Sequence, residues 1–343
     1  MIKRFRGRSP LNVSLLLLAF ASSVFGQNQK PETKPTEEPV EDVVRVSTAL
    51  VTLPVSVMDR QGRFITDLKQ DQFHLFEDGI EQQIAYFDNA EKPFIVALLL
   101  DVSDSTKTKL ADIQDAATAF IDQLRPDDKV FIVSFDKRVS ILCEPTNDRK
   151  ALYSAIKRTA TGGGTSLYSA IDLVVRQRLS RLAGRKAVVL LTDGVDTTSE
   201  LETYESTVRE VNQLDALIYS IQYQTAEDVS KTQSDSIMSG QWGNGRVVTS
   251  KGEPLRIAYE RGQRFLQLLP DSTGGRFFHA DSLNKMKERF ASIAAELREQ
   301  YSLAYYPTNR SSRQKKRDLK VRVTLPNIAV KSRRSYIYAP VEQ

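Results

Sequence analysis

The chain has 343 residues, of which 41% are hydrophobic and 27% charged, with one cysteine and a formal net charge of +5. That length supports one large domain with a smaller companion, and a single cysteine excludes an internal disulfide. Four of the basic residues (Lys3, Arg4, Arg6 and Arg8) fall in the first 26 positions, which hold no acidic residue, so the rest of the chain carries only +1. The basic balance therefore does not argue for a nucleic-acid partner.

Those four cations precede the apolar stretch Leu15 to Phe20, and small residues follow to Gly26. This is the layout of a secretory signal peptide over residues 1–26, cut after Val24-Phe25-Gly26. The apolar part is shorter than the roughly 20 residues a membrane-spanning helix needs. No cysteine stands near the cut to carry a lipid. The expectation is a secreted or periplasmic protein with no stable membrane span once the signal is removed.

Residues 27–42 are polar, contain three prolines and read as a disordered linker. Residues 43–90 form an N-terminal β segment. Val44-Arg45-Val46 and Leu50 to Val57 alternate, and Phe73 to Phe76 and Gln83 to Phe87 flank Glu77-Asp78-Gly79, whose Asp-Gly pair signals a hairpin. Fewer than about 50 residues of strand make a poor domain alone.

From residue 91 to 299 strands alternate with helices. Phe94 to Leu100 is a continuous apolar strand, and Leu110, Ile113, Ala117, Phe120 and Leu124 recur at helical spacing. Strands follow at Lys129–Phe135, Val139–Cys143, Lys186–Leu191 and Ala216–Tyr223. Helices are expected near 148–159, 166–180, 202–214, 257–269 and 283–298. Continuous apolar strands between amphipathic helices predict an α/β fold, a Rossmann-like, doubly wound, mostly parallel sheet covered on both faces. Cys143 shares its strand face with Val139 and Ile141 and is read as a buried thiol. Residues 300–343 return to β, and the basic run Arg310 to Arg317 in a hairpin connection is read as a solvated stretch. Neither flank has enough strands for a sandwich, so the two are expected to build one together, with the α/β domain inserted between them.

In an open parallel sheet, functional residues gather on loops at the carboxyl ends of the strands. Three such loops offer carboxylates and hydroxyls: Asp101-Val102-Ser103-Asp104-Ser105-Thr106, Thr161-Gly162-Gly163-Gly164-Thr165-Ser166, and Leu191-Thr192-Asp193-Gly194. Oxygen-only ligands select hard cations, Mg²⁺, Mn²⁺ or Ca²⁺. Taken singly, the first loop reads equally as a helix cap, the second as a phosphate cradle and the third as an ordinary turn.

Together, Asp101-x-Ser103-x-Ser105, Thr165 in a glycine-rich loop, and Asp193 in Thr-Asp-Gly resemble the metal-ion-dependent adhesion site of von Willebrand factor type A domains, over roughly residues 92–298. The flanking β segments resemble a bacterial group in which such a domain follows a short β module with an Asp-Gly turn. The resemblance implies a divalent cation, Mg²⁺ first, at Asp101, Ser103, Ser105, Thr165 and Asp193. It also implies an open coordination position that a carboxylate of a protein partner completes. Where this sequence has Asp104 the family often has glycine, so Asp104 is expected to modulate the partner or take a second cation.

The resemblance implies a binding or adhesion module and no enzyme. A serine hydrolase would need a histidine base, and the two histidines, in Phe73-His74-Leu75 and Phe278-His279-Ala280, stand outside a suitable setting and are read as packing or capping residues. A P-loop would need Gly-Lys-Ser/Thr after the glycines, which is missing. A structural envelope protein whose metal only stabilises the fold is the competing class. Residues 224–256 are expected to form a long loop on the same edge as the three oxygen-bearing loops and contain the single tryptophan, Trp242, which is read equally as a partner contact or as a plug of the loop onto its own domain.

Overall fold

The computed structural model describes residues 50–88, 92–223, 249, 252–309 and 315–338. The segments expected as signal peptide and linker, Val44-Arg45-Val46, Trp242 and the start of the basic run lie outside the described residues. Four strands come first: β1 (Val51–Asp59), β2 (Phe73–Glu77), β3 (Ile80–Gln82) and β4 (Ile84–Asp88). The α/β portion follows as β5 (Phe94–Asp101), α1 (Leu110–Gln123), β6 (Lys129–Phe135), β7 (Val139–Thr146), α2 (Arg149–Lys157), α3 (Leu167–Asp172), β8 (Arg185–Thr192), α4 (Tyr204–Val211), β9 (Leu217–Tyr223), α5 (Leu255–Thr273), β10 (Phe277–Ala280) and α6 (Leu283–Arg298). The tail supplies β11 (Tyr301–Tyr305), β12 (Lys315–Val323), β13 (Ile328–Ser332) and β14 (Ser335–Tyr338). Among the described residues no helix is long and apolar enough to cross a membrane.

The central sheet has the order β10-β9-β8-β5-β6-β7, parallel throughout except for β7. Strand β5 lies in its middle, and its unbroken apolar sequence follows from burial on both faces. Val96, Leu98 and Leu100 join one core with α1, α2 and α6; Ala97 and Leu99 join the other with α3, α4 and α5. Each large aliphatic side chain this strand removes from water contributes roughly 1.5–3 kcal/mol. After β5 the chain winds to β6 on one side, and it later returns to β8 on the other. The crevice between the carboxyl ends of β5 and β8 is therefore the topological switch point.

The two β flanks interleave. One sheet has the order β13-β1-β11-β4 and the other β14-β12-β2-β3, so each combines strands from before and after the α/β domain. Leu53, Val55, Val57, Phe73, Leu75, Tyr301, Leu303 and Tyr305 fill the space between them. The Asp-Gly signal produces the β2–β3 hairpin, with Glu77 opposite Ile80 and both turn residues at positive φ, Asp78 at 49° and Gly79 at 84°. Inside the sandwich the buried Glu77 accepts from the Arg317 guanidinium (2.7 Å) and from the hydroxyls of Tyr305 (2.5 Å) and Tyr336 (2.8 Å). The β13–β14 corner joins the sandwich to the α/β domain, as Arg333 donates to the carbonyls of Asn212 (2.6 Å) and Leu214 (3.3 Å) beyond α4.

Two local expectations are corrected. The helix expected over 166–180 is α-helical only to Asp172 and continues as a π-helical stretch, Leu173–Arg178. Strand β7 shifts register between its pairings, so Ile141 faces Val133 while Cys143 faces Ile132 and meets the opposite core. Cys143 is accordingly half-buried and no longer shares a face with Ile141. Both histidines make local side-chain contacts. His74 pairs with Glu81 at 2.8 Å, and His279 is exposed on the outermost strand β10 with its ring edge-on to Phe277.

Candidate metal centre

Asp101 ends β5, and its side chain is fully buried. One carboxylate oxygen accepts from the Ser103 amide (3.0 Å), closing a tight turn, and the other accepts from the Thr192 hydroxyl (2.5 Å) at the end of β8. Ser103 starts a short 3₁₀ turn, Asp104–Lys109, yet its hydroxyl caps nothing; it lies 3.0 Å from the Ser105 hydroxyl. The capping alternative fails at this residue. Ser105 in turn donates to Asp193 Oδ2 at 2.8 Å, so Ser103, Ser105 and Asp193 form one chain of contacts between two loops.

The glycine loop is held against the first by a bridge between Ser103 and Gly162, with the Gly162 amide donating to the Val102 carbonyl (2.9 Å). One of its glycines is required: Gly164 has φ +78°, with Thr198 2.7 Å from where its Cβ would be, while a Cβ on Gly162 would displace the Asp136 carboxylate. The backbone of Thr165 docks on the third loop: its amide donates to the Thr197 hydroxyl (2.8 Å), and its carbonyl accepts from the Thr197 amide (2.8 Å). Among the described residues no hydrogen bond uses the Thr165 hydroxyl. Asp193 completes the group, its Oδ1 accepting from the Val195 amide (3.0 Å) ahead of Gly194 at φ +93°.

All five residues proposed from the sequence as metal ligands thus stand on three adjoining loops at the switch point. Asp101, Ser103, Ser105 and Asp193 are joined by side-chain contacts or a shared turn, and Thr165 is attached through its backbone. Asp104 is exposed and lies over the glycine loop, its carboxylate 3.4 Å from where a Cβ of Gly163 would sit. Thr192 was not singled out in the sequence, although it precedes Asp193 and stands beside Asp101 in the sheet. Its hydroxyl donates to Asp101 and accepts from the Gly194 amide (3.0 Å), tying both aspartate loops together.

Two carboxylates are held close together here, one of them fully buried. Burial first, and then the carboxylate of Asp193, push the Asp101 carboxyl from 3.8 up to about 7. Among the described residues no Lys or Arg forms an ion pair with Asp101. The donors are two carboxylates and three hydroxyls, hard oxygen atoms with a net negative charge, which fit a Mg²⁺-like ion. Among the described residues no cluster of three or more His, Cys, Asp and Glu is gathered anywhere, so any metal here must be held partly by hydroxyls. A cavity of about 490 Å³ lies at the opposite edge of the sheet, lined by strand starts such as Phe94, Lys129 and Arg185, and has no part in this constellation. Neither histidine makes a hydrogen bond to a hydroxyl among the described residues, so a Ser-His pair is not assembled there.

Residues 96–195 match the family model of the von Willebrand factor type A domain. A UPF0353 protein of Mycolicibacterium vanbaalenii is 26% identical over 222 residues, 59% of this chain and 60% of that protein. The chain thus matches about 60% of the length of that curated relative. Among solved structures, a von Willebrand factor type A protein from Catenulispora acidiphila aligns over 86% of this chain and 75% of its own, with 10% identity and a TM-score of 0.45. Proximal thread matrix protein 1 from the mussel byssus, with a zinc-occupied MIDAS motif, aligns over 63% of this chain and 48% of its own, with 15% identity and a TM-score of 0.41. Residues 96–195 thus match the von Willebrand factor type A domain model, and the α/β portion that holds them is set between two β segments that share one sandwich.

Proposed function

We propose that the protein is an exported, metal-dependent protein-binding module. Domains of this type are interaction and adhesion modules, which sets the general class. The finer reading rests on one observation: a buried carboxylate raised by burial and by a second carboxylate, next to the linked Ser103 and Ser105 hydroxyls and, among the described residues, in no ion pair with Lys or Arg. Asp101, Ser103, Ser105, Thr165 and Asp193 would hold a divalent cation, Mg²⁺ first and Mn²⁺ or Ca²⁺ as alternatives. Bound there, the cation supplies a Lewis-acidic centre whose charge the neutral hydroxyls leave incompletely compensated, so that a carboxylate of a partner protein binds to it. The chain's own residues would hold and orient the cation. The free Thr165 hydroxyl, on a backbone fixed by Thr197, supports its assignment as a ligand. Asp104, over the glycine loop, adds negative charge at the rim and selects against partners with several acidic residues. Trp242 is proposed as a further contact.

The test is calorimetric titration of Mg²⁺ into the mature protein, then capture from envelope extract with Mg²⁺ and with chelator. Asp101→Ala should abolish Mg²⁺ uptake. Thr165→Ala should keep more of the metal affinity and lose partner capture. Capture that survives both chelator and Asp101→Ala overturns the reading. Mg²⁺ that raises the melting temperature without altering any capture means that the metal serves the fold alone.

A further inference from the structure

We propose that Gln222, which lies outside the candidate ligand set, is a positioning residue of the metal centre, holding the Asp193 loop so that its carboxylate faces the site. The inference rests on the reading of Asp193 as a member of the cation site. Gln222 sits at the end of β9, directly opposite Thr192 on β8, and is 1% exposed. Its side-chain amide donates to the main-chain carbonyl of Asp193 at 3.1 Å. Its other end, the Oε1 oxygen, is buried and has no hydrogen-bond partner among the described residues.

That arrangement is costly where an apolar residue would serve the core. Ile218, four positions earlier on the same face, is apolar and packed in the core formed with α3, α4 and α5. A buried acceptor without a donor destabilises a fold, and local violations of this kind concentrate at functional sites. The amide end of Gln222 supplies the reason to keep it. The Asp193-Gly194 turn is gripped from two directions: Gln222 takes its carbonyl, and helix α5 presses on it at Gly262, where a Cβ would stand 2.4 Å from the Gly194 oxygen. With the carbonyl and the following glycine fixed, the carboxylate of Asp193 keeps its bonds to the Val195 amide and the Ser105 hydroxyl. Groups that orient metal ligands from behind typically alter metal affinity ten- to hundredfold when removed.

The experiment compares wild type with Gln222→Met, which keeps the length of the side chain and removes both polar ends. Mg²⁺ dissociation constants are measured by calorimetry, unfolding midpoints in EDTA, and amide hydrogen exchange at Val195 without metal. The expected result is Mg²⁺ binding weakened about tenfold or more, faster exchange at Val195, and an EDTA midpoint equal to or above that of wild type. A Gln222→Met protein that binds Mg²⁺ within threefold of wild type overturns the proposal, as does a lower EDTA midpoint with unchanged affinity, which would mark Gln222 as purely structural. Should Gln222→Met fail to fold, Gln222→Asn takes its place. Its amide is one methylene too short to reach the carbonyl, and it must show the same loss of affinity. If wild type itself takes up neither Mg²⁺ nor Mn²⁺, the reading of the cation site fails and this proposal with it. That outcome is read from the wild-type titration alone.

Discussion

Replacing Asp101 by asparagine should stabilise the metal-free protein and destabilise the metal-loaded one relative to wild type. A carboxyl raised from 3.8 to about 7 costs the folded state about 4 kcal/mol once ionised, at ~1.36 kcal/mol per pH unit between the two values. The sign follows from the direction of the shift. Below about pH 4 the group is protonated in folded and unfolded chains alike, and the stability is fully present; as pH rises through 7, it is lost. Asparagine keeps an acceptor for the Ser103 amide but turns a donor toward Thr192, giving up one hydrogen bond worth about 1 kcal/mol. At pH 8 in EDTA the variant should therefore be more stable by about 3 kcal/mol. With Mg²⁺ at roughly a thousand times its dissociation constant, wild type gains about 4 kcal/mol that the variant lacks, and the order reverses. Urea denaturation at pH 5 and pH 8, with and without Mg²⁺, measures all four states. An asparagine variant no more stable than wild type in EDTA at pH 8 would refute the electrostatic argument, and equal stabilisation of both proteins by Mg²⁺ would refute the site.

Arg317→Met should destabilise the sandwich by about 3–5 kcal/mol, since it leaves Glu77 buried without its cation; a shift under about 1 kcal/mol in denaturant titration would mean that the tyrosine hydroxyls suffice. Arg333→Ala removes the guanidinium from the Asn212 and Leu214 carbonyls and should cost about 2–4 kcal/mol; proteolysis that first cuts between the sandwich and the α/β domain would accompany it. Protein isolated from its native host should begin near Gln27 by intact-mass spectrometry, and a chain retaining Met1 would remove the export reading.

The α/β class, the buried character of β5 and the loops that carry the site follow from local sequence. A seven-residue apolar run can be satisfied only by burial on both faces, and polar residues placed directly after such strands must emerge at the carboxyl edge. Glu77-Asp78-Gly79 likewise determines its own turn, because the conformations needed at Asp78 and Gly79 are local. What required the tertiary structure was everything decided across the sheet. Whether the Ser103 hydroxyl caps a helix or faces Ser105 depends on Asp193, 90 positions away, and the contributions of Thr192 and Gln222 depend on strand register. The face of Cys143 is set by a register shift against β6 that leaves no mark in the alternation of β7. The sandwich is the clearest case. Pairing β1 with β11 and β13, and β2 with β12, joins segments more than 200 residues apart, and no local preference specifies a partner at that distance; the shared core between the two sheets does.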